Sequence, residues 1–127
     1  MKPEEKDLLL SDLCARLPYE PVIEYVVKGI SGNAHMTCKL DVSHIDELLQ
    51  DSEDLVEIKP YLRPMSSMTE EEKLMFYSNI QLDYYEHYFE VVASQIEWLN
   101  AHHFDYRGLI DKGLAFEVTE EYNPYKE

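Results

Sequence analysis

The stretch LDYYEHYFEVVASQIEWL, residues 82–99, predicts the element around which the rest of the fold is arranged. One row of apolar side chains advances in steps of three and four residues, which is the spacing of a helix face and not of a strand. That row consists of Leu82, Tyr85, Phe89, Val92, Ile96 and Leu99. A second row beside it consists of Tyr84, Tyr88, Val91 and Trp98. A surface helix needs only one apolar stripe, so we expect the rest of the chain to cover this helix from two directions.

Three segments predict the strands of a small antiparallel sheet. Residues 21–27, PVIEYVV, are rich in β-branched and aromatic side chains. Residues 35–42 alternate between polar and apolar side chains, so we expect one face of this strand to be buried. Turn residues at 29–33 join the two segments into a hairpin. Residues 55–59, LVEIK, predict a third strand that Pro60 closes.

Shorter helices are expected before and after these strands. The first has Leu9 and Leu13 on its apolar face, with Cys14 alongside, and Pro18 ends it. Cys14 and Cys38 are accordingly interpreted as small core residues rather than as reactive thiols.

Polar residues mark the starts of further helices. Ser43 with Asp46 fits the cap of a short helix over residues 44–50. Another helix should run to about Tyr77, and two capping boxes are possible at its start. These are Ser67 with Glu70 and Thr69 with Glu72.

The long helix should end near Ala101, and the segment after it carries its own signals. Asp105 is a plausible N-cap, and Gly113 is a plausible left-handed stop. Residues 114–118 could lie along a sheet edge, whereas residues 121–127 are polar and expected to be frayed. The chain as a whole predicts one α+β domain over residues 1–127, with a small antiparallel sheet of about three strands packed against a long C-terminal helix and shorter helices.

The charge balance restricts the possible partners. The chain carries 26 acidic and 11 basic side chains among 127 residues, for a formal net charge of −15. Direct binding to nucleic acid is not expected, because it requires a cluster of Lys and Arg. Anionic membranes should repel the chain, and a basic partner is admitted. The N-terminus lacks the apolar run of a signal peptide, and no run is long enough to span a membrane, so a cytoplasmic location is expected.

Three pieces of the chain together resemble a known family. They are DLLLSDLCARLPY at residues 7–19, IKPYLRPMSSMTEEEK at 58–73 and EWLNAHHFDYRGLIDKGLAFE at 97–117, about 50 residues in all. They resemble a family of small uncharacterised proteins that is frequent in gut Bacteroidetes genomes and in their phages and prophages. The resemblance implies short strands between the first two pieces, and it implies no particular activity.

Two clusters have residue types that could hold a metal ion. Asp83, His87 and Glu90 have the spacing i, i+4 and i+7, which can bring three ligands to one ion. His102, His103 and Asp105 form a tighter cluster just beyond the predicted end of the helix. A solvated helix face accounts for the first cluster, and capping and packing account for the second. We therefore expect no cofactor and no metal.

Aromatic side chains concentrate in and around the long helix, and they suggest an interaction surface. The candidate residues are Tyr84, Tyr85, Tyr88, Phe89 and Trp98. Aromatic side chains dominate interface energetics and tolerate half-wet positions, although packing in the core would explain them as well. The row of apolar residues would also suit pairing with a second copy.

Residues 41–57 contain seven acids and no Lys or Arg, which suggests an alternative function. A phage-type decoy could imitate the charge of nucleic acid and occupy a basic cleft on a host protein. No suitable nucleophile motif or glycine-rich phosphate loop is present. The sequence therefore favours a non-catalytic interaction module, with the acidic decoy and a metal-dependent enzyme as alternatives.

Overall fold

A mixed sheet and four helices make up the part of the chain that the computed structural model describes, residues 1–77 and 88–126. The helices are α1 (Pro3–Arg16), α2 (Val42–Leu49), α3 (Glu70–Tyr77) and α4 (Tyr88–Ala101), with 3₁₀ turns at Leu17–Tyr19 and Met65–Ser67. The strands are β1 (Val22–Gly29), β2 (Gly32–Lys39), β3 (Leu55–Pro64), β4 (Phe104–Asp105) and β5 (Phe116–Glu117). The predicted α+β class is confirmed.

The sheet has the order β2–β1–β3–β4, and β5 also pairs with β3. The predicted hairpin of β1 and β2 and the third strand β3 are all present and antiparallel. The expectation of about three strands is incomplete, because the short strands β4 and β5 both run parallel to the end of β3.

Pro60 does not close the third strand, contrary to the prediction. β3 continues through it to Pro64. Pro60 pairs with Ile23 near the start of β1, and from Tyr61 onward β3 exchanges this neighbour for β5 and then β4. A proline is tolerated where a strand changes partners, because its missing N–H interrupts no continuous ladder.

The main core lies between α1, one face of the sheet and the loop that follows β4. Its buried side chains are Leu9, Leu13, Ile23, Leu40, Leu48, Ile58, Leu62, Leu109, Leu114 and Ala115. Leu9 and Leu13 were expected here, but Cys14 is exposed because it lies on the outer side of α1. β2 also differs from its prediction. Met36 is 45% exposed, because β2 is the edge strand.

α4 ends at Ala101 as predicted, but the described part of it is covered mainly on one side. Val91 and Leu99 are buried, whereas Phe89 and Ile96 are exposed. The expected two-sided cover is therefore wrong at Phe89 and Ile96, although Leu99 of the same row is buried. The reason is that the main core does not include α4, which instead contributes Leu99 and Trp98 to a smaller cluster with Met68, Phe104, Phe76 and Tyr106. Leu82, Tyr84 and Tyr85 lie outside the described residues.

The helix caps are partly as predicted. Of the two capping boxes before α3, the structure forms the one between Thr69 and Glu72, in which each side chain accepts a hydrogen bond from the backbone N–H of the other residue. α2 begins after Asp41, whose carboxylate accepts the N–H of Ser43, so Ser43 is not the cap.

The C-terminal segment differs from its predictions in two places. Asp105 does accept the N–H groups of Leu109 and Ile110, but it caps a series of turns and not a helix. The tail, expected to be frayed, contacts the sheet through Tyr125, whose hydroxyl donates to the carbonyl oxygen of Tyr61 and accepts from the N–H of Val22.

Candidate functional site

A small groove lies where α3 crosses α4. It has a volume of about 250 Å³, and its apolar walls come from Tyr19, Met75, Phe76 and Trp98. The rings of Phe76 and Trp98 are 5.6 Å apart between centroids, and the side-chain amide of Gln95 donates to the carbonyl oxygen of Phe76. Behind the groove, Trp98 stacks on His102 at 4.0 Å and on Phe104 at 5.8 Å. The groove therefore has a rigid aromatic floor.

Large apolar side chains on both helices are exposed near this groove. Leu74 is 74% exposed and Tyr77 is 56% exposed on α3, while Phe89 is 84% exposed and Ile96 is 38% exposed on α4. Leu74 and Tyr77 are three residues apart and Phe89 and Ile96 seven apart, so each pair shares one helix face. None of these four side chains lines the groove, and on each helix they face away from the residues that do. We call the groove and these four side chains together the α3–α4 surface, which therefore extends over more than one side of the two helices. Of the predicted aromatic residues, Phe89, Tyr88 and Trp98 belong to α4, and Tyr84 and Tyr85 lie outside the described residues.

The α3–α4 surface is surrounded by negative charge. Among the described residues of the two helices the acids are Glu70, Glu71, Glu72, Glu90 and Glu97, and the one base is Lys73. Lys73 forms an ion pair with Glu70 at 3.2 Å. The surface thus combines exposed apolar groups with an acidic border.

A second and larger cleft, of about 1220 Å³, lies on the other side of α3. Its walls include Arg63, Glu72, His102, His103 and Tyr125. Arg63 donates two hydrogen bonds to the Glu72 carboxylate, at 2.7 and 2.6 Å. These bonds hold the pKa of Glu72 at about 2, below its usual value of 4.5. The sequence analysis did not find this pair, because its members are nine residues apart across a turn.

The predicted cluster of His102, His103 and Asp105 does not converge on a common point. Both oxygens of Asp105 accept backbone N–H groups. The Nδ1 of His102 lies 2.8 Å from the carbonyl oxygen of Trp98; since a carbonyl only accepts, this nitrogen carries the proton. His103 stacks on Tyr125 at 3.7 Å, and burial lowers its pKa from 6.5 to about 4.

The other predicted metal cluster is only partly described. Asp83 and His87 lie outside the described residues, and Glu90 is exposed on α4. In the described ranges 1–77 and 88–126, no group of three or more His, Cys, Asp or Glu side chains could hold a metal ion.

The structure brings one thiol close to an imidazole, a pair that the sequence analysis did not single out. Cys38 Sγ lies 3.8 Å from His44 Nε2, and Asp41 Oδ1 lies 3.4 Å from His44 Nδ1. The backbone N–H of Asp41 donates to His44 Nδ1, so in the neutral ring the proton is on Nε2 and faces the sulfur. Burial raises the pKa of the Cys38 thiol, and Asp41 and Glu24 raise it further. This tautomer and this pKa both oppose activation of the thiol as a nucleophile.

The acidic segment 41–57 uses most of its carboxylates inside the molecule. Asp41 caps α2, Glu47 accepts the hydroxyl of Tyr25, and Asp51 pairs with Lys6 at 2.6 Å. Asp46 and Glu57 contact Gln50 and Lys59 respectively. These intramolecular partners reduce the charge that the segment could offer to a basic cleft.

Among residues 1–77 and 88–126, every helix is too short or too polar to cross a bilayer. No protein-family model, curated protein sequence or solved structure matches the chain.

Proposed function

We propose that this protein is a non-catalytic interaction module that binds a basic partner protein through the α3–α4 surface. The observation that carries the proposal is the preformed aromatic groove, whose wall includes the exposed side chain of Met75. Leu74, Tyr77 and Phe89 are exposed elsewhere on the same two helices. Exposed apolar groups that are rimmed by polar residues are typical of protein interaction sites. The proposal places this interaction in the cytoplasm, as the sequence predicts.

The groove supplies the physical basis for binding. Interface hot spots are large side chains that insert into well-packed pockets, surrounded by contacts that exclude water. A groove of about 250 Å³ with a floor of Phe76 and Trp98 can accept one such apolar side chain. Because the Trp98 ring is already packed against Phe104 and His102, and the Phe76 ring against Trp98, little conformational entropy is lost on binding.

The charges of α3 and α4 define the partner's chemistry. Within the described residues the two helices carry one base, Lys73, and four acids besides Glu72, whose carboxylate pairs with Arg63 in the other cleft; the chain has a net charge of −15. A partner with an apolar anchor flanked by Lys and Arg would be electrostatically complementary, and a partner with acidic flanks would be repelled. The partner segment should therefore have an apolar anchor with basic residues on either side of it.

An array of short synthetic peptides of random sequence tests this proposal. We expect the bound peptides to be enriched in Lys and Arg around Leu, Ile or Phe, and their affinity to fall with added salt. Trp98 is the only tryptophan in the chain, so Trp-free peptides that enter the groove should change its fluorescence. Met75→Ala should weaken binding about tenfold or more, because it removes a large apolar side chain from the wall of the groove.

Ile30→Ala is the matched control, since Ile30 is fully exposed at the tip of the hairpin of β1 and β2. It should leave the affinity of the peptides unchanged. Bound peptides that are neutral or acidic, or an affinity that Met75→Ala does not change, would contradict the proposal.

A further inference from the structure

β2 presents a free edge on the side that faces away from β1. The backbone N–H of Leu40 donates to the carbonyl oxygen of Pro21, so the even-numbered residues of β2 form the backbone hydrogen bonds to β1. In an antiparallel ladder the backbone N–H and C=O groups of successive residues point alternately to one side of the strand and to the other. The backbone N–H and C=O groups of Asn33, His35, Thr37 and Lys39 therefore point outward, to a side on which no strand within residues 1–77 and 88–126 pairs with β2.

This edge lacks the features that usually prevent strands from adding to it. β2 has no proline, and its register with β1 shows no bulge. Almost all of its residues are exposed, and its eight-residue length is typical of a well-formed strand. Natural proteins protect such edges with prolines, bulges or several charges, and Lys39 at the end of β2 is its one charged side chain.

The charge of this segment suits a second copy of the same chain. Residues 30–40 contain none of the 26 acidic side chains, although the net charge is −15. Two copies repel each other over most of their surfaces, and β2 is a place where two copies can approach with little repulsion. Met36, at the middle of the strand, is 45% exposed and offers an apolar contact.

We propose that two copies of this chain pair their β2 strands antiparallel about a two-fold axis at Met36. This register pairs all four outward-facing residues, with Asn33 opposite Lys39 and His35 opposite Thr37 of the second copy. At the positions between these pairs, Met36 lies opposite Met36 of the second copy, and Ala34 lies opposite Cys38 of the second copy. No two like charges are opposite each other, and the two sheets become one continuous sheet across the axis.

The expected dimer is weak, since two paired strands bury less area than a standard interface, below about 1,200 Å². We therefore expect reversible association with a dissociation constant in the micromolar range. Sedimentation equilibrium should show a species of twice 15.0 kDa as concentration rises.

A charge exchange at Met36 tests the axis itself. Met36→Glu and Met36→Lys should each be monomeric, because each places two like charges opposite each other. A mixture of the two variants should recover the dimer, because Glu then faces Lys. Met36→Leu is the matched control and should dimerise as the natural chain does. Circular dichroism and thermal unfolding verify that each variant is folded.

A backbone substitution gives a second test that does not depend on Met36. Thr37→Pro removes an outward N–H that bonds to nothing in β1, whereas Thr37→Val removes the same hydroxyl and keeps the N–H. We expect Thr37→Pro to abolish the dimer and Thr37→Val to retain it. A chain that is monomeric up to about 1 mM overturns the proposal. A dimer that survives both Met36→Glu and Thr37→Pro also overturns the proposal. The same holds for a mixture of Met36→Glu and Met36→Lys that fails to associate.

Discussion

Arg63 holds α3 against the rest of the protein through a single carboxylate. Its guanidinium donates two hydrogen bonds to Glu72 and lies 4.1 Å above the ring of Phe104. Glu72 also accepts the backbone N–H of Thr69 at the start of α3. Since α3 carries Leu74 and Tyr77, the position of the α3–α4 surface depends on this pair as well as on the contacts of Phe76 with Trp98 and Gln95.

Glu72→Gln should lower the free energy of unfolding by about 1.5–3 kcal/mol at neutral pH, the usual contribution of a hydrogen bond to a charged group. The pKa of Glu72 is about 2 in the folded protein and 4.5 when unperturbed. A lowered pKa adds stability that is fully present above pH 4.5 and is lost as the pH falls towards 2. The natural chain should therefore lose more stability over this window than Glu72→Gln does, as measured by urea unfolding at several pH values.

Glu70→Gln is the control for this prediction, because Glu70 is exposed on the same helix and, among the described residues, pairs with Lys73 and not with Arg63. It should change stability by less than about 0.5 kcal/mol. Equal losses for Glu70→Gln and Glu72→Gln would mean that helix charge, and not the contact with Arg63, explains the effect.

Helices, caps and hairpins that depend on local spacing can be predicted from the sequence, whereas strands that depend on long-range contacts cannot. The hairpin of β1 and β2, the capping box of Thr69 and Glu72 and the end of α4 at Ala101 all follow from spacing over a few residues. β4 and β5 are two residues long and exist only because the end of β3 is nearby. No periodicity can reveal a strand of that length.

Only those parts of the candidate site that depend on local spacing can be predicted from the sequence. Phe89 and Trp98 were found because they belong to long apolar rows of α4. Leu74 and Tyr77 were missed because α3 has only eight residues and no clear apolar face. The exposure of Phe89 could not be predicted at all, since spacing defines the face that a residue shares but not whether another element covers it.

The C-terminal segment acts as a strap over the histidine that follows α4. The ring of Tyr125 stacks on His103 at 3.7 Å, and its hydroxyl joins Val22 of β1 to Tyr61 of β3. Burial lowers the pKa of His103 to about 4, and the charge of Arg16 lowers it further.

Tyr125→Ala should raise the pKa of His103 from about 4 towards 6.5, because the ring that buries the imidazole is removed. In the natural chain the unfolded state binds more protons than the folded state between pH 6.5 and 4, so stability falls as the pH drops through this window. In Tyr125→Ala this loss should be smaller. A pH titration of the histidine signals by NMR, together with unfolding at pH 7 and pH 5, measures both effects.

Tyr125→Phe separates the ring from the hydroxyl in this experiment. The pKa of His103 should stay near 4, while the free energy of unfolding falls by about 1–2 kcal/mol because the N–H of Val22 and the carbonyl of Tyr61 lose a partner. A His103 pKa that is unchanged in Tyr125→Ala would show that the strap does not bury the imidazole.

At the scale of the whole molecule, negative charge affects both stability and association. The net charge of −15 acts against the compact state through self-repulsion. Several acids are neutralised by ion pairs, such as Asp51 by Lys6 and Glu57 by Lys59, but these two pairs are partly exposed and contribute little.

Sodium chloride should raise the midpoint of thermal unfolding by several degrees between low and physiological ionic strength, because screening reduces this repulsion. A gain of about 1 kcal/mol corresponds to about 4 °C for a domain of this size. Differential scanning calorimetry at low protein concentration measures the shift, and sucrose at equal osmolality is the control. A midpoint that falls with salt would show that attractive ion pairs outweigh the repulsion.

One buried contact has a consequence for how the chain is made. Arg16, fully enclosed, donates to Asp12 at 2.7 Å and to the carbonyl oxygen of Phe104 at 2.7 Å, a partner 88 residues later. Burial of this guanidinium before Phe104 has left the ribosome would leave it without that acceptor, which is costly for a charged group. The nascent chain should therefore remain sensitive to protease until β4 has left the ribosome, and then become resistant in one step.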